Sequence, residues 1–200
     1  MADVTRSCVY FREAGKHNTD QVAEAVVRRL AQGDIRTVVV SSTTGYTART
    51  FADALQGRDD VTLISVAEAA LIREWGTEYP TLTPGTKEDL ERRGVIVADK
   101  VSYVFHNSPF DYSKWQFPTP EEIVRETLYA FGQGLKVAVE VVLIAVTMGL
   151  LEPYQDVIAV GGTHRGVDTA IVMNATYPNH IFSQDADKRL RIHEILCKPW

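Results

Sequence analysis

Thr37-Val38-Val39-Val40-Ser41-Ser42-Thr43-Thr44-Gly45-Tyr46-Thr47-Ala48 is the stretch on which the fold turns. Its first four residues are all β-branched and favour a strand. Four consecutive hydroxyl residues and a glycine follow, and from Ala48 to Leu55 the apolar spacing is helical. Strand, hydroxyl-rich turn and helix in this order place backbone N–H groups and a helix N-terminus at the carboxyl edge of a sheet, where an anion is favoured. The hydroxyls of Ser41, Ser42, Thr43 and Thr44 add further donors. The stretch reads as a phosphate cradle, although the Gly-Lys-Ser/Thr ending of a Walker loop is absent. A plainer reading is also open: Thr44 or Thr47 caps the helix.

Working outward, Ser7 to Phe11 is an apolar run and a first strand. The polar turn from Arg12 to His17 leads to a helix opened by Asn18, with Gln21 completing a capping box and Gly33 closing the element. The Lys16–Thr19 turn either serves that cap alone or sits beside the phosphate loop. Ile35 to Val40 is the second strand, and its unbroken apolar character suits a parallel strand covered on both faces. Val61 to Ser65 is the third. The resulting βαβαβ order implies a parallel sheet with right-handed crossovers, whose ligands bind outside the carboxyl ends of the strands.

The middle of the chain is less regular. Val66 to Trp75 is weakly helical, Gly76 to Gly85 a loop, and Thr86 to Arg93 a helix stopped by Gly94. Val95 to Ala98 is a fourth strand and Val101 to Phe105 a short extended piece. The loop from Ser113 to Pro120 carries Trp115 and Phe117, which cover either a planar ligand or the rim of the core. Thr119-Pro120-Glu121-Glu122 is a helix start: a cap, a first-turn proline and two acids that meet the dipole. Gly132-Gln133-Gly134 should break that helix. The next, Leu135 to Met148, is apolar nearly all round and so central. On it Lys136 and Glu140 are four apart; either they pair or Glu140 faces a ligand pocket.

Asp156 to Val160 and Val167 to Met173 are strands joined by Gly161-Gly162-Thr163-His164-Arg165-Gly166, a hairpin that makes one strand antiparallel. The glycines permit close backbone approach. Arg165 is suited to a phosphate or carboxylate, and Asp168 either accepts from sugar or ribityl hydroxyls or pairs with Arg165. The tail from Ile192 to Cys197 remains unassigned.

Length and charge narrow the function classes. The chain has 200 residues, enough for one α/β domain spanning 1–200 with a full core. A net charge of −5 and scattered basic residues argue against a nucleic-acid surface. The polar first residues lack a signal-peptide core, and Lys136 and Glu140 interrupt the most apolar window, so no membrane segment is expected. Two cysteines outside any CxxC pair fit a cytoplasmic protein with free thiols. The five histidines show no metal-binding spacing, and there is neither a GxSxG elbow nor a GxGxxG fingerprint. No catalytic residue is legible, and the residues leave a homo-oligomer open.

Five segments together resemble a known family. They are Gly15-Lys16-His17-Asn18-Thr19, the Ser41–Ala48 stretch, Phe131 to Glu140, Val160 to Ala170, and Glu194 to Pro199. In this order they are similar to stand-alone archaeal and bacterial proteins related to the C-terminal α/β domain of pyruvate kinase. The resemblance implies a three-layer α/β/α fold with a mostly parallel sheet and one antiparallel strand near the C-terminus. It implies a phosphate site at Ser41, Ser42, Thr43, Thr44, Gly45 and Thr47, with Asn18 in the neighbouring turn. Gly161, Gly162, Thr163, Arg165 and Asp168 would lie along the rest of the ligand. That ligand would be flavin mononucleotide (FMN) or a similar small phosphorylated molecule. The barrel that carries the metal and phosphoenolpyruvate sites of pyruvate kinase has no counterpart, so kinase activity is not expected. A flavin-dependent oxidoreductase and a sugar-phosphate sensor are the alternatives.

Overall fold

The computed structural model describes residues 3–114 and 117–200. Its frame is one seven-stranded sheet in the order β1-β7-β6-β5-β2-β3-β4. The strands are β1 (Val9–Phe11), β2 (Thr37–Ser41), β3 (Thr62–Val66), β4 (Ile96–Ala98), β5 (Asp156–Gly161), β6 (Thr169–Asn174) and β7 (Ile192–Pro199). All neighbours pair in parallel except β6, which is antiparallel to both β5 and β7. The helices are α1 (Thr19–Leu30), α2 (Tyr46–Ala54), α3 (Pro84–Arg92), α4 (Pro120–Tyr129) and α5 (Gln133–Thr147).

Period-two alternation along the central strands splits the core into two layers. Val38 and Val40 of β2 join Ile158 and Val160 of β5 in one cluster with Val22, Val26, Ala48, Phe51 and Leu90 from α1, α2 and α3. Val39 faces the other way, with Ala159, Ile171 and Met173, against Leu128 of α4 and the apolar length of α5. The protein is therefore a three-layer α/β/α structure.

Four elements depart from the sequence expectation or go beyond it. β1 is not the neighbour of β2: it lies at the far edge, paired only with β7. A βαβ order specifies parallel direction but not adjacency, and here the C-terminal tail supplies the partner. That tail, unassigned from sequence, is the longest strand, with one side against β6 and the other against β1. Val66 belongs to β3 rather than to a helix, and only Ala70–Trp75 winds into a 3₁₀ turn. α3 starts at Pro84 because Thr83 accepts the Thr86 N–H (3.2 Å), a cap inside the stretch read as loop.

Other local signals hold. Thr119 accepts the Glu122 N–H (3.1 Å) ahead of Pro120. Gly132, at φ 119°, separates α4 from α5. Among the described residues, no helix is long and apolar enough to cross a membrane.

Candidate functional site

Ser41 is the last residue of β2, paired with Val66, so the turn itself begins at Ser42. The Ser42 N–H donates to the Val66 carbonyl (2.9 Å). Its buried hydroxyl accepts the Ala48 N–H (3.1 Å); Gly45 holds the N-cap position without a side chain, so the side-chain bond that caps the first turn of α2 comes from Ser42, not from Thr44 or Thr47. Gly45 explains why. Its φ of 87° is the left-handed conformation that lets the turn enter α2, and a Cβ there would fall 2.4 Å from Thr86 Cγ2. Thr43 donates to Glu68 Oε1 (2.9 Å). Thr44 is exposed and Thr47 buried, and neither side chain forms a hydrogen bond among the described residues. The N–H groups of Thr44, Gly45, Tyr46 and Thr47 also have no partner among the described residues. They open the first turn of α2.

The turn after β1 lies beside this loop. Lys16 Nζ sits 3.9 Å from the centroid of the Tyr46 ring, the first residue of α2. Asn18 is buried, but its amide donates to the Glu13 carbonyl (2.8 Å), so the expected capping box with Gln21 does not form. Thr19 holds the junction instead. Its hydroxyl donates to the Lys16 carbonyl (2.7 Å) and accepts the Val167 N–H (3.2 Å), tying the start of α1 to the loop between β5 and β6.

Asp168 locks that loop. It is fully buried; Oδ2 accepts the Gly15 N–H (2.9 Å) and the Thr163 hydroxyl (2.7 Å), and Oδ1 accepts the Thr169 hydroxyl (2.9 Å). The pairing with Arg165 does not form. Asp168 points inward at the base of the loop, while Arg165 is exposed near its tip and makes no ion pair among the described residues.

The glycines of the loop are close-contact residues. A Cβ on Gly161 would lie 2.2 Å from the Gly134 carbonyl oxygen, and one on Gly134 would lie 2.3 Å from Thr169 Oγ1. Gly162 has the Gly166 carbonyl oxygen 2.3 Å from its Cβ position. The start of α5 is thus pressed against the ends of β5 and β6. Val40 registers with Val160, so Ser41 and Gly161 end neighbouring strands. The loops after β1, β2 and β5 therefore meet at one edge.

A second cluster, on the other side of the Ser42–Gly45 turn, was only half legible in the sequence. Glu68, which accepts from Thr43, also accepts the Tyr103 hydroxyl at 2.5 Å. Tyr103 stacks on Trp75 (centroids 5.5 Å apart), and His106 meets both rings edge-on at 5.3 and 5.7 Å. Beneath them the predicted Lys136–Glu140 pair forms at 2.5 Å in a buried position. Glu140 Oε1 also accepts the Val104 and Phe105 N–H groups (3.0 and 2.9 Å).

Burial and the Glu68 carboxylate push the Tyr103 phenol far above its usual range. Burial and the Lys136 charge hold His106 below the ordinary imidazole range, against the opposing pull of Glu140. The i,i+4 charge pair on an apolar helix was the one signal of this cluster in the sequence. Phe117 is exposed and tilts against Phe110 (5.7 Å), whereas Trp115 lies outside the described residues.

The first cluster offers a row of backbone donors at a helix N-terminus with an ammonium group alongside, a chemistry suited to phosphate. Among the described residues, no group of three His, Cys, Asp or Glu side chains is placed to hold a metal ion. No protein-family model matches the chain, and the family resemblance rests on its sequence motifs.

Proposed function

We propose that the carboxyl edge of β1, β2 and β5 binds a small phosphorylated ligand, with FMN the leading candidate. The observation that carries this reading is the run of unpartnered N–H groups from Thr44 to Thr47 at the start of α2, with Lys16 held beside it on the Tyr46 ring. In this reading Thr43, Thr44, Gly45 and Thr47 take the phosphate from strand end Ser41 onward, and Ser42 holds the turn in shape. Gly161, Gly162, Thr163 and Arg165 border the rest of the ligand. Asn18, whose amide nitrogen is held by the Glu13 carbonyl, and Asp168, whose two oxygens are engaged by Gly15, Thr163 and Thr169, act by position. FMN itself is supported by the family resemblance alone. No pyruvate kinase activity is proposed.

The first test is the visible spectrum of freshly purified protein and of the supernatant after heat denaturation. A flavin band that moves to the supernatant supports a non-covalent flavoprotein, in which the flavin would supply any redox chemistry. Colourless protein that also fails to take up added FMN removes FMN and leaves a sugar-phosphate sensor, to be screened by thermal shift. Thr44→Glu tests the site itself. That side chain is exposed and unbonded, so the fold should tolerate a carboxylate that repels phosphate. Thr44→Ala with Thr47→Ala should weaken binding by about tenfold for each hydroxyl engaged. Unchanged affinity in both variants refutes the location.

A further inference from the structure

The connections after β3 and β4 part to opposite faces of the sheet. β3 leads to the Ala70–Trp75 turn and α3, whose Leu90 packs with α1 and α2; β4 leads to α4, whose Leu128 packs with α5. Where adjacent parallel strands send their loops to opposite faces, a crevice opens outside their carboxyl ends. Here those loops bring Trp75, Tyr103 and His106 into contact. His106 also lines a cleft of about 1030 Å³ with Phe110, Tyr112, Phe117 and Ile123. These four apolar side chains are all exposed, Tyr112 by 80%. A cleft of this size that combines aromatic side chains with a few convergent polar groups has the usual form of a small-molecule site.

The groups around His106 define what the cleft would take. Its Nδ1 lies 3.5 Å from Lys136 Nζ, and an ammonium group has only donors. Nδ1 therefore presents its lone pair to Lys136, and the neutral ring carries its proton on Nε2. Arg125, the cation among the cleft-lining residues, is already engaged by the Phe105 carbonyl, Glu122 and Glu126. Asp111, Glu122 and Glu126 add carboxylates that repel an anion. What remains among the aromatic side chains is the neutral N–H of His106, with the Tyr112 hydroxyl at the rim and the Thr127 hydroxyl already given to the Ile123 carbonyl.

We propose that this cleft is a second binding site, for an uncharged carbonyl compound with an aromatic body, whose carbonyl oxygen accepts from His106 Nε2–H. The Lys136–Glu140 pair is the positioning device that sets the tautomer. The site is distinct from the phosphate loop, although it lies at the same edge of the sheet, and stands or falls independently of it.

Long-range ¹H–¹⁵N spectra of the full chain test the proposal, with the His106 signals identified by their loss in His106→Phe. The probes are acetophenone and ethylbenzene, alike in shape except for the carbonyl. At pH 7 the ring should be neutral with its proton on Nε2. Acetophenone should shift the Nε2 signal saturably and bind about fivefold more tightly than ethylbenzene. In His106→Phe that preference should vanish, and in Thr44→Glu it should persist. A protonated ring, an Nδ1–H tautomer, or equal affinity for the two probes overturns the proposal. Lys136→Met should mix the tautomers; if that variant does not fold, the His106→Phe comparison decides alone.

Discussion

Around β1, β2 and β5 the loops meet through side chains that are missing; beyond β3 and β4 they meet through large and charged ones. In the first region Gly161, Gly162 and Gly166 let backbone approach backbone, Gly134 makes room for the Asp168 and Thr169 side chains, and Asp168 fastens the result. In the second, Glu68, Trp75, Tyr103, His106, Lys136 and Glu140 converge from three separate stretches of chain. Both lie at one edge of one sheet, and Thr43 touches both through Glu68. The difference is in what each will tolerate. The first region has no room to grow. The second has room, but its buried charges must stay matched.

The largest expected effect tests that last statement. Lys136→Met leaves the Glu140 carboxylate buried without its cation and should cost about 4 kcal/mol in urea unfolding. Adding Glu140→Gln should recover a good part of it, since the remaining carbonyl oxygen still accepts from the loop N–H groups. A loss below about 1 kcal/mol would mean that charge matching does not organise this region.

Gly161→Ala is the counterpart in the first region. The new Cβ meets backbone atoms of Gly134 and Ala138, which cannot swing aside, and the cost should be about 3 kcal/mol. Gly85→Ala in α3, with open space and no positive φ, should instead stabilise by about 0.5 kcal/mol. Equal responses from the two glycines would break the contrast. Asp168→Asn turns an amide toward three donors and should cost about 2 kcal/mol, read as a lower unfolding midpoint. Ser42→Ala removes the α2 cap and should cost about 1 kcal/mol.

The contrast also explains what could be read in advance. Gly161, Gly162 and Gly134 stand in compact motifs, because a backbone close approach is encoded by the residues that make it. The β5–β6 hairpin and the Thr119 cap were legible for the same reason: both are local. Which hydroxyl caps α2 was not. Ser42 reaches Ala48 only because Gly45 is left-handed, and spacing alone favours the nearer Thr44. Asn18 looked like a cap, but its amide is drawn to Glu13 by a 3₁₀ turn that periodicity does not report. The β1–β7 pairing joins residues far apart in the chain, Trp75 ends a short 3₁₀ turn, and Tyr103 and His106 come from an irregular segment. Nothing local specifies such meetings.

The smallest effect separates the two regions by pH. His106 is held below its unfolded value, about 6.5, so the unfolded chain takes up the proton first as pH falls. Its contribution is complete above about pH 6.5 and is lost as pH drops through the folded value. Tyr103 has the opposite sign. Its folded value is raised, so its contribution is complete below about pH 10 and is lost as pH rises beyond that. Urea midpoints measured against pH should therefore fall on both flanks. His106→Phe should flatten the acid flank and Tyr103→Phe the alkaline one, while Ser42→Ala should lower the whole curve without changing its shape. If His106→Phe leaves the acid flank as steep as before, the proton that matters there belongs elsewhere. Acid sensitivity would then not distinguish the side-chain cluster beyond β3 and β4 from the glycine junction beside it.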